Sequence, residues 1–61
     1  MNTFDRMRAE LSELMRLVRE SASYCTAVAA KPELATTESH AKEIQREHRI
    51  ADLTRTYGIT A

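Results

Sequence analysis

The side chains of this sequence that could bind a metal are one cysteine and two histidines, Cys25, His40 and His48. His48 and Asp52 are four residues apart, so on a helix they would lie on one side and could clamp a cation. A structural zinc site uses four ligands at recognisable spacings, which these residues do not have. We therefore expect no metal and no cofactor, and we interpret Cys25 as a small packing residue and His48 as an interface residue.

Cys25 is also the candidate for a reactive nucleophile, but its context does not favour catalysis. A nucleophilic cysteine requires a neighbouring base, and a cysteine on an apolar helix face is more often inert. Gly58 is the only glycine, so there is no glycine-rich loop to hold a phosphate group. A two-helix chain also lacks a concave pocket of the size that enzymes use. We predict that the protein is not an enzyme.

A stripe of basic residues occupies the second half of the chain at helical spacing and consists of Lys42, Arg46 and Arg49. Such a stripe could contact phosphate or an acidic partner, as in a nucleic-acid-binding accessory protein. Glu43 and Glu47 lie on the adjacent flank, so an ordinary salt-bridged surface is the simpler interpretation. Without an aromatic platform, three cations would bind nucleic acid only weakly and in a salt-dependent manner.

These side chains must be positioned by helices, and the first helix is marked by a heptad pattern of apolar residues. With Phe4 at position a, the a and d residues are Phe4, Met7, Leu11, Leu14, Val18, Ser21, Cys25 and Val28. Further apolar residues occupy e (Met15, Ala22 and Ala29) and g (Leu17 and Tyr24). The apolar face is therefore wider than a two-position seam, which favours a bundle over an isolated two-stranded coil.

Signals at the helix ends divide a single domain, residues 1–61, into two helices and a loop. Pro32 ends the first helix because proline cannot continue the hydrogen-bond ladder and displaces the residue before it. Gly58 suits a left-handed C-cap for the second helix. Candidate N-caps of the second helix are Thr36, Thr37 and Ser39. The predicted elements are a helix over about 3–30, a loop over about 31–36 and a helix over about 37–57, which make an all-α antiparallel hairpin.

The second helix carries two apolar faces instead of one. We assign Ile44, His48 and Ala51 to the seam with the first helix. We assign a second face to a partner chain or a target, and it consists of Ile50, Leu53 and Tyr57. A helix in a plain hairpin needs only one apolar face, so two faces predict two neighbours.

The lengths of the helices also predict a partner. At 1.5 Å per residue the first helix is about 42 Å long and the second about 32 Å. Tyr57 then reaches only about the level of Glu10 or Leu11, and Phe4 and Met7 are left uncovered. A chain of 61 residues with one cysteine also lacks the core and disulfides that would stabilise it alone. We therefore predict a homodimer in which two hairpins form a four-helix bundle.

The charge of the chain gives no indication of a nucleic-acid or membrane partner. Nine basic and nine acidic residues give a net charge of +0, so no overall field attracts polyanions or lipid headgroups. No apolar run is long enough to span a membrane, and no signal peptide is recognisable. The lone cysteine fits a reducing compartment. We expect a cytoplasmic protein, in the host cytoplasm if it is viral.

Two resemblances to known families can be stated. Residues 49–60 resemble the first helix and turn of helix-turn-helix proteins through the pattern Ile50, Ala51, Leu53, Tyr57, Gly58, Ile59 and Thr60. The recognition helix that reads the major groove does not follow before Ala61, so we interpret Tyr57-Gly58-Ile59 as a helix stop.

The second resemblance concerns the whole chain. A short, charge-balanced helical protein that begins Met1-Asn2-Thr3-Phe4-Asp5-Arg6-Met7-Arg8-Ala9-Glu10 resembles the small early-region accessory proteins of lambda-like temperate phages. The resemblance implies a non-enzymatic protein that contacts host machinery and assigns no functional residue. Taken together, the sequence predicts a small protein–protein interaction or regulatory protein. The alternatives are a nucleic-acid-binding accessory protein and a structural assembly adaptor.

Overall fold

The structure is a computed structural model that describes residues 2–59. Helix α1 spans Thr3–Ala30, a 3₁₀ turn spans Pro32–Leu34 and helix α2 spans Thr37–Thr56. The helices lie side by side and antiparallel, so the predicted all-α hairpin is confirmed. Met1 and Ala61 lie outside the described residues, and so does Thr60, the last matching residue of the helix-turn-helix-like segment.

Helix α1 begins at an N-cap and ends at the proline that follows it. The Asn2 side chain accepts a hydrogen bond from the Asp5 backbone N–H at 2.8 Å, which satisfies one of the free donors of the first turn. Asp5 also places a carboxylate at the positive end of the helix dipole. The last helical residue is Ala30, and the 3₁₀ turn that begins at Pro32 redirects the chain.

Helix α2 is capped at both ends by residues of the expected types. Thr36 and Ser39 form a reciprocal capping box, with their side chains accepting from each other's backbone N–H at 3.0 and 2.9 Å. At the other end Gly58 adopts φ 65°, which glycine reaches without a Cβ penalty. The Gly58 and Ile59 N–H groups donate to the carbonyls of Arg55 and Thr54, so the helix stop is a Schellman motif. Helix α2 ends one residue before the predicted boundary at 57.

The core between the helices is small. Its buried apolar members are Leu14 and Leu17 of α1 and Leu53 of α2, and of these Leu53 is fully buried at 1% exposure. Ile50 and Tyr57 pack against these leucines from α2. Because so few side chains are buried, each leucine carries a large share of the stabilisation from apolar burial.

The prediction for the first seam is correct at the d positions and wrong at most of the a positions. Helix α2 packs on positions d and g of α1, where Leu14 and Leu17 are buried and Met7, Ser21, Tyr24 and Val28 are half-buried. The a residues Phe4, Val18 and Cys25 are exposed, and Leu11 is half-buried. The physical reason is charge: Glu13 and Glu20, at position c of α1, flank the d/g side and pair with arginines of α2.

The assignment of the two faces of α2 is wrong, because the faces are exchanged. Ile50, Leu53 and Tyr57, which we assigned to a partner, pack on α1 inside the hairpin. Ile44, His48 and Ala51, which we assigned to the seam with α1, are exposed. The face with the larger apolar side chains lies against α1, where it excludes more water than Ile44 and Ala51 could.

The hairpin has the shape of a slab, with extents of 44 × 23 × 14 Å. The Tyr57 hydroxyl donates to Glu10 at 2.6 Å, so α2 ends level with Glu10 as its length predicted. The first turns of α1 continue past that level, and Phe4 is 58% exposed. The slab therefore has two broad sides and an uncovered apolar end.

Candidate functional site

One broad side of the slab is covered by ion pairs between the helices, and Arg49 forms its outer part. The Arg49 guanidinium makes two hydrogen bonds to the Glu13 carboxylate, at 2.8 and 3.0 Å. It also lies 3.6 Å from Glu10. A paired, planar contact of this kind fixes the relative position of the two helices as well as neutralising both charges.

The centre of the same side is a buried carboxylate, Glu43, which is only 4% exposed. It accepts a hydrogen bond from the Ser21 hydroxyl at 2.6 Å and a second from Arg46. Arg46 also lies 3.7 Å from Glu20 on α1, and its guanidinium is 5.9 Å from the centre of the Tyr24 ring. The carboxylate is therefore held by donors from both helices, as a buried charge requires.

These contacts shift the protonation equilibria of the groups involved. Burial by itself would raise the pKa of Glu43, but the hydrogen bonds from Ser21 and Arg46 outweigh it and the pKa is lowered. The hydrogen bond from Arg49 lowers the pKa of Glu13, and the same contact raises the pKa of Arg49. The hydrogen bond to Glu10 raises the pKa of the Tyr57 hydroxyl. The contacts therefore favour the charged form of the Glu13 and Glu43 carboxylates.

Most of the charge of the basic stripe is paired with carboxylates within the hairpin. Arg46 and Arg49 both bind carboxylates of α1. Lys42 is exposed and lies 3.6 Å from Glu38. The salt-bridged interpretation is thus confirmed for the two arginines, and the contact to phosphate or an acidic partner stays a prediction.

We call the positions a and e of α1, together with Ile44 and Ala51 of α2, the apolar face. On α1 it runs almost the whole length of the helix and includes Met15 and Val18, which are 63% and 48% exposed. The residues of α1 on this face are Phe4, Leu11, Met15, Val18, Ala22, Cys25 and Ala29. Arg8 is the charged residue in these rows, and it stacks on Phe4 at 5.2 Å.

The two helices present the apolar face on the same broad side of the slab. The two helices face each other through their d and g positions, and on each helix the a and e positions lie about a quarter turn away around the helix axis. Because the helices run in opposite directions, this quarter turn leads to the same broad side of the slab on both. Counting α2 in the same heptad frame, with Leu53 at g, places Ile44 and Ala51 at e and Glu47 at a. The same rule places Glu13 and Arg49, both at c, on the opposite side, where they are bonded. The slab thus carries paired charges on one side, and on the other side the apolar row of α1 lies beside Ile44 and Ala51 of α2.

The residues considered for metal chemistry are not brought together. Cys25, His40 and His48 are all exposed. Within residues 2–59, no three or more His, Cys, Asp or Glu side chains are grouped so that they could hold a metal ion. Neither helix of this described part is long and apolar enough to cross a membrane.

Several residues that organise the hairpin were missing from the predicted sites. Leu17 and Tyr24 were noted only as widening the apolar face, and Glu43 was taken as a surface charge. A signal for the α2 seam exists in the spacing of Ser39, Glu43, Arg46, Ile50, Leu53 and Tyr57, which alternates four and three. Two of these residues are charged, so a search for apolar residues alone does not find this seam.

Comparison of the chain with protein-family models, with curated proteins and with solved structures gave no match.

Proposed function

We propose that this chain is a small, non-enzymatic protein–protein interaction protein, and that its apolar face is covered by a second copy to form a four-helix bundle. The observation that carries the proposal is the contrast between the two sides of the slab. On one side the charges of α1 and α2 are paired with each other across the hairpin. On the other side Met15 and Val18 remain exposed in a nearly continuous apolar row.

The dimensions of the apolar side fit a partner of the same size. With extents of 44 and 23 Å, one broad side measures about 1,000 Å², and a standard interface buries about 800 Å² on each partner. A second copy supplies a surface of the same length, width and chemistry.

Stability provides a second argument for self-association. The buried core of the hairpin consists of three leucines, and a domain of this size rarely gains more than about 3–5 kcal/mol from its own core. Covering the exposed residues of α1 would extend that core along the helix, at about 25 cal/mol for each Å² of apolar surface removed from water. Dimerisation would therefore stabilise the hairpin as well as close its face.

The test is the mass in solution, measured by light scattering after size-exclusion chromatography from about ten to several hundred micromolar. We expect a mass near twice 6.9 kDa. In Val18→Glu a charge enters the middle of the apolar face, and we expect a monomer that keeps its helix content, since Val18 is not needed inside the hairpin. Ser23→Glu is the matched control, because Ser23 is exposed on α1 outside both rows, and it should remain dimeric.

A wild-type monomer throughout this concentration range would overturn the proposal. A Val18→Glu variant that stays dimeric would also overturn it, because the dimer would then use another surface.

A further inference from the structure

We infer that the two copies meet with α1 against α1 in antiparallel orientation, about a twofold axis that passes level with Val18. This inference rests on the proposed dimer and specifies which helices meet in it. It assigns a neighbour in the second copy to each large exposed apolar residue of residues 2–59 except Ile59.

The first argument is a gradient of side-chain size along the apolar face of α1. The residues before Val18 are large, namely Phe4, Leu11 and Met15, and those after it are small, namely Ala22, Cys25 and Ala29. Two parallel copies would pack large on large at one end and small on small at the other. Antiparallel copies pack large on small throughout, which keeps the helices at a constant distance.

The spacing around Val18 makes these pairs specific. Leu11 precedes Val18 by seven residues and Cys25 follows it by seven, so Leu11 of one copy lies level with Cys25 of the other. Met15 precedes Val18 by three residues and Ala22 follows it by four, so Met15 of one copy lies close to the level of Ala22 of the other. Val18 lies close to Val18 of the second copy. Each pair joins a large residue to a small one or lies at the axis.

Helix α2 places the axis at the same level independently. The bonds from Glu20 to Arg46 and from Ser21 to Glu43 put Val18 level with about residue 47 of α2. On the open side of α2, Ile44 and Ala51 stand on either side of that level. An antiparallel α2–α2 contact about the same axis therefore packs Ile44 of one copy on Ala51 of the other, again large on small.

The uncovered end of α1 also gains a neighbour in this arrangement. Phe4 lies 14 residues before the axis, about 21 Å along the helix. The loop end of the second copy reaches a similar distance, and Leu34 is 44% exposed there. The overhang of one copy therefore covers the loop end of the other.

The other symmetric way to stack the two slabs places α1 on α2 of the second copy, and it is less favourable. The a and e rows of α1 are apolar except for Arg8, whereas those of α2 contain Thr37, His40, Glu47 and Thr54 beside Ile44 and Ala51. With α1 on α2, the apolar row of one copy would therefore lie on a mainly polar row of the other, and Val18 would lie against Glu47. With α1 on α1, the two apolar rows cover each other.

Disulfide cross-linking at the native cysteine tests the arrangement, because two cysteines join only when their Cα atoms come within about 7 Å. In the antiparallel dimer the two Cys25 residues are 14 residues apart along the axis, about 21 Å. Under mild oxidation we therefore expect wild-type dimers to remain uncross-linked. The double variant Val18→Cys/Cys25→Ala should form covalent dimers.

A mixed experiment tests the Leu11–Cys25 pair directly. The double variant Leu11→Cys/Cys25→Ala should not cross-link to itself but should do so when mixed with the wild-type chain. Rapid cross-linking of wild-type Cys25, or dimers in which neither Val18→Cys/Cys25→Ala nor the mixture cross-links, would overturn the arrangement while leaving the dimer intact. A monomeric mass for the wild type would instead overturn the dimer itself, so the two failures are distinguishable.

Discussion

The buried carboxylate of Glu43 offers the sharpest test of how the hairpin is held together. Glu43→Gln keeps the length, shape and helix propensity of the side chain, and it removes the charge and one of the two acceptor oxygens. Hydrogen bonds to charged groups contribute roughly 1.5–3 kcal/mol and neutral ones roughly 0.5–1.5. Since Glu43 accepts from Ser21 and Arg46, we expect a loss of about 1–2 kcal/mol in the free energy of unfolding at neutral pH.

The control is Asp52→Asn, which makes the same carboxylate-to-amide change at an exposed position of the same helix, away from α1 and from the apolar face. Surface substitutions of this kind usually change stability by no more than about 0.5 kcal/mol. Urea unfolding followed by circular dichroism, at one protein concentration for all variants, gives both values. If Glu43→Gln and Asp52→Asn lose the same amount, the network around Glu43 does not stabilise the fold and the reasoning is refuted.

The pH dependence of the same variant follows from the sign of the shift. The pKa of Glu43 is lower in the folded protein than its ordinary value, so the folded state favours the carboxylate. Its contribution is present above the unfolded value of about 4.3 and is lost as the pH falls through the lower, folded pKa. The difference in the free energy of unfolding between wild type and Glu43→Gln should therefore be largest near neutral pH and should disappear at acid pH. A difference that stays constant down to about pH 2 would contradict this assignment.

Two further predictions concern the core and the end of α2. Leu53→Ala should lower the free energy of unfolding by about 2–5 kcal/mol because Leu53 is fully buried. Ile59→Ala, at an exposed site, should change the urea midpoint little. Similar urea midpoints for the two variants would contradict the assignment of Leu53 to the core. The Tyr57–Glu10 hydrogen bond raises the pKa of Tyr57, so its stabilisation is present below about pH 10 and lost as the pH rises through the folded pKa. Absorbance titration of the phenolates should show a tyrosine above that value, and Tyr57→Phe should remove it; an unchanged titration curve would show that Tyr57 is not the group responsible.

The hairpin could be predicted from the sequence because its boundaries depend on local chemistry. Pro32 stops α1 wherever α2 lies, and the capping residues Thr36 and Gly58 act within a few residues of their own positions. Such signals do not require knowledge of the neighbouring helix.

The choice of face could not be predicted in the same way. Helix α1 is apolar at a, d, e and g, so its pattern allows α2 to pack on either side. Which side α2 packs on depends on pairs such as Glu13–Arg49, whose members are 36 residues apart in the sequence. Such pairs can be identified only in the folded hairpin. Glu43 and Arg46 lie in the contact between the helices, but a method that counts apolar residues would assign them to the surface. They are tolerated in this contact because they form an ion pair with each other.

The short connection between the helices has a consequence for the order of events in assembly. Residues 31–36 bring α2 back along α1 with little loop to close, and small helical proteins rich in local contacts fold in microseconds to milliseconds. Two proteins associate at about 10⁵–10⁷ M⁻¹s⁻¹, so at about ten micromolar productive association takes about 0.01–1 s. The hairpin should therefore be complete before it meets another copy. The initial rate of the proposed dimerisation should rise with the square of the protein concentration, as for the docking of two preformed bodies.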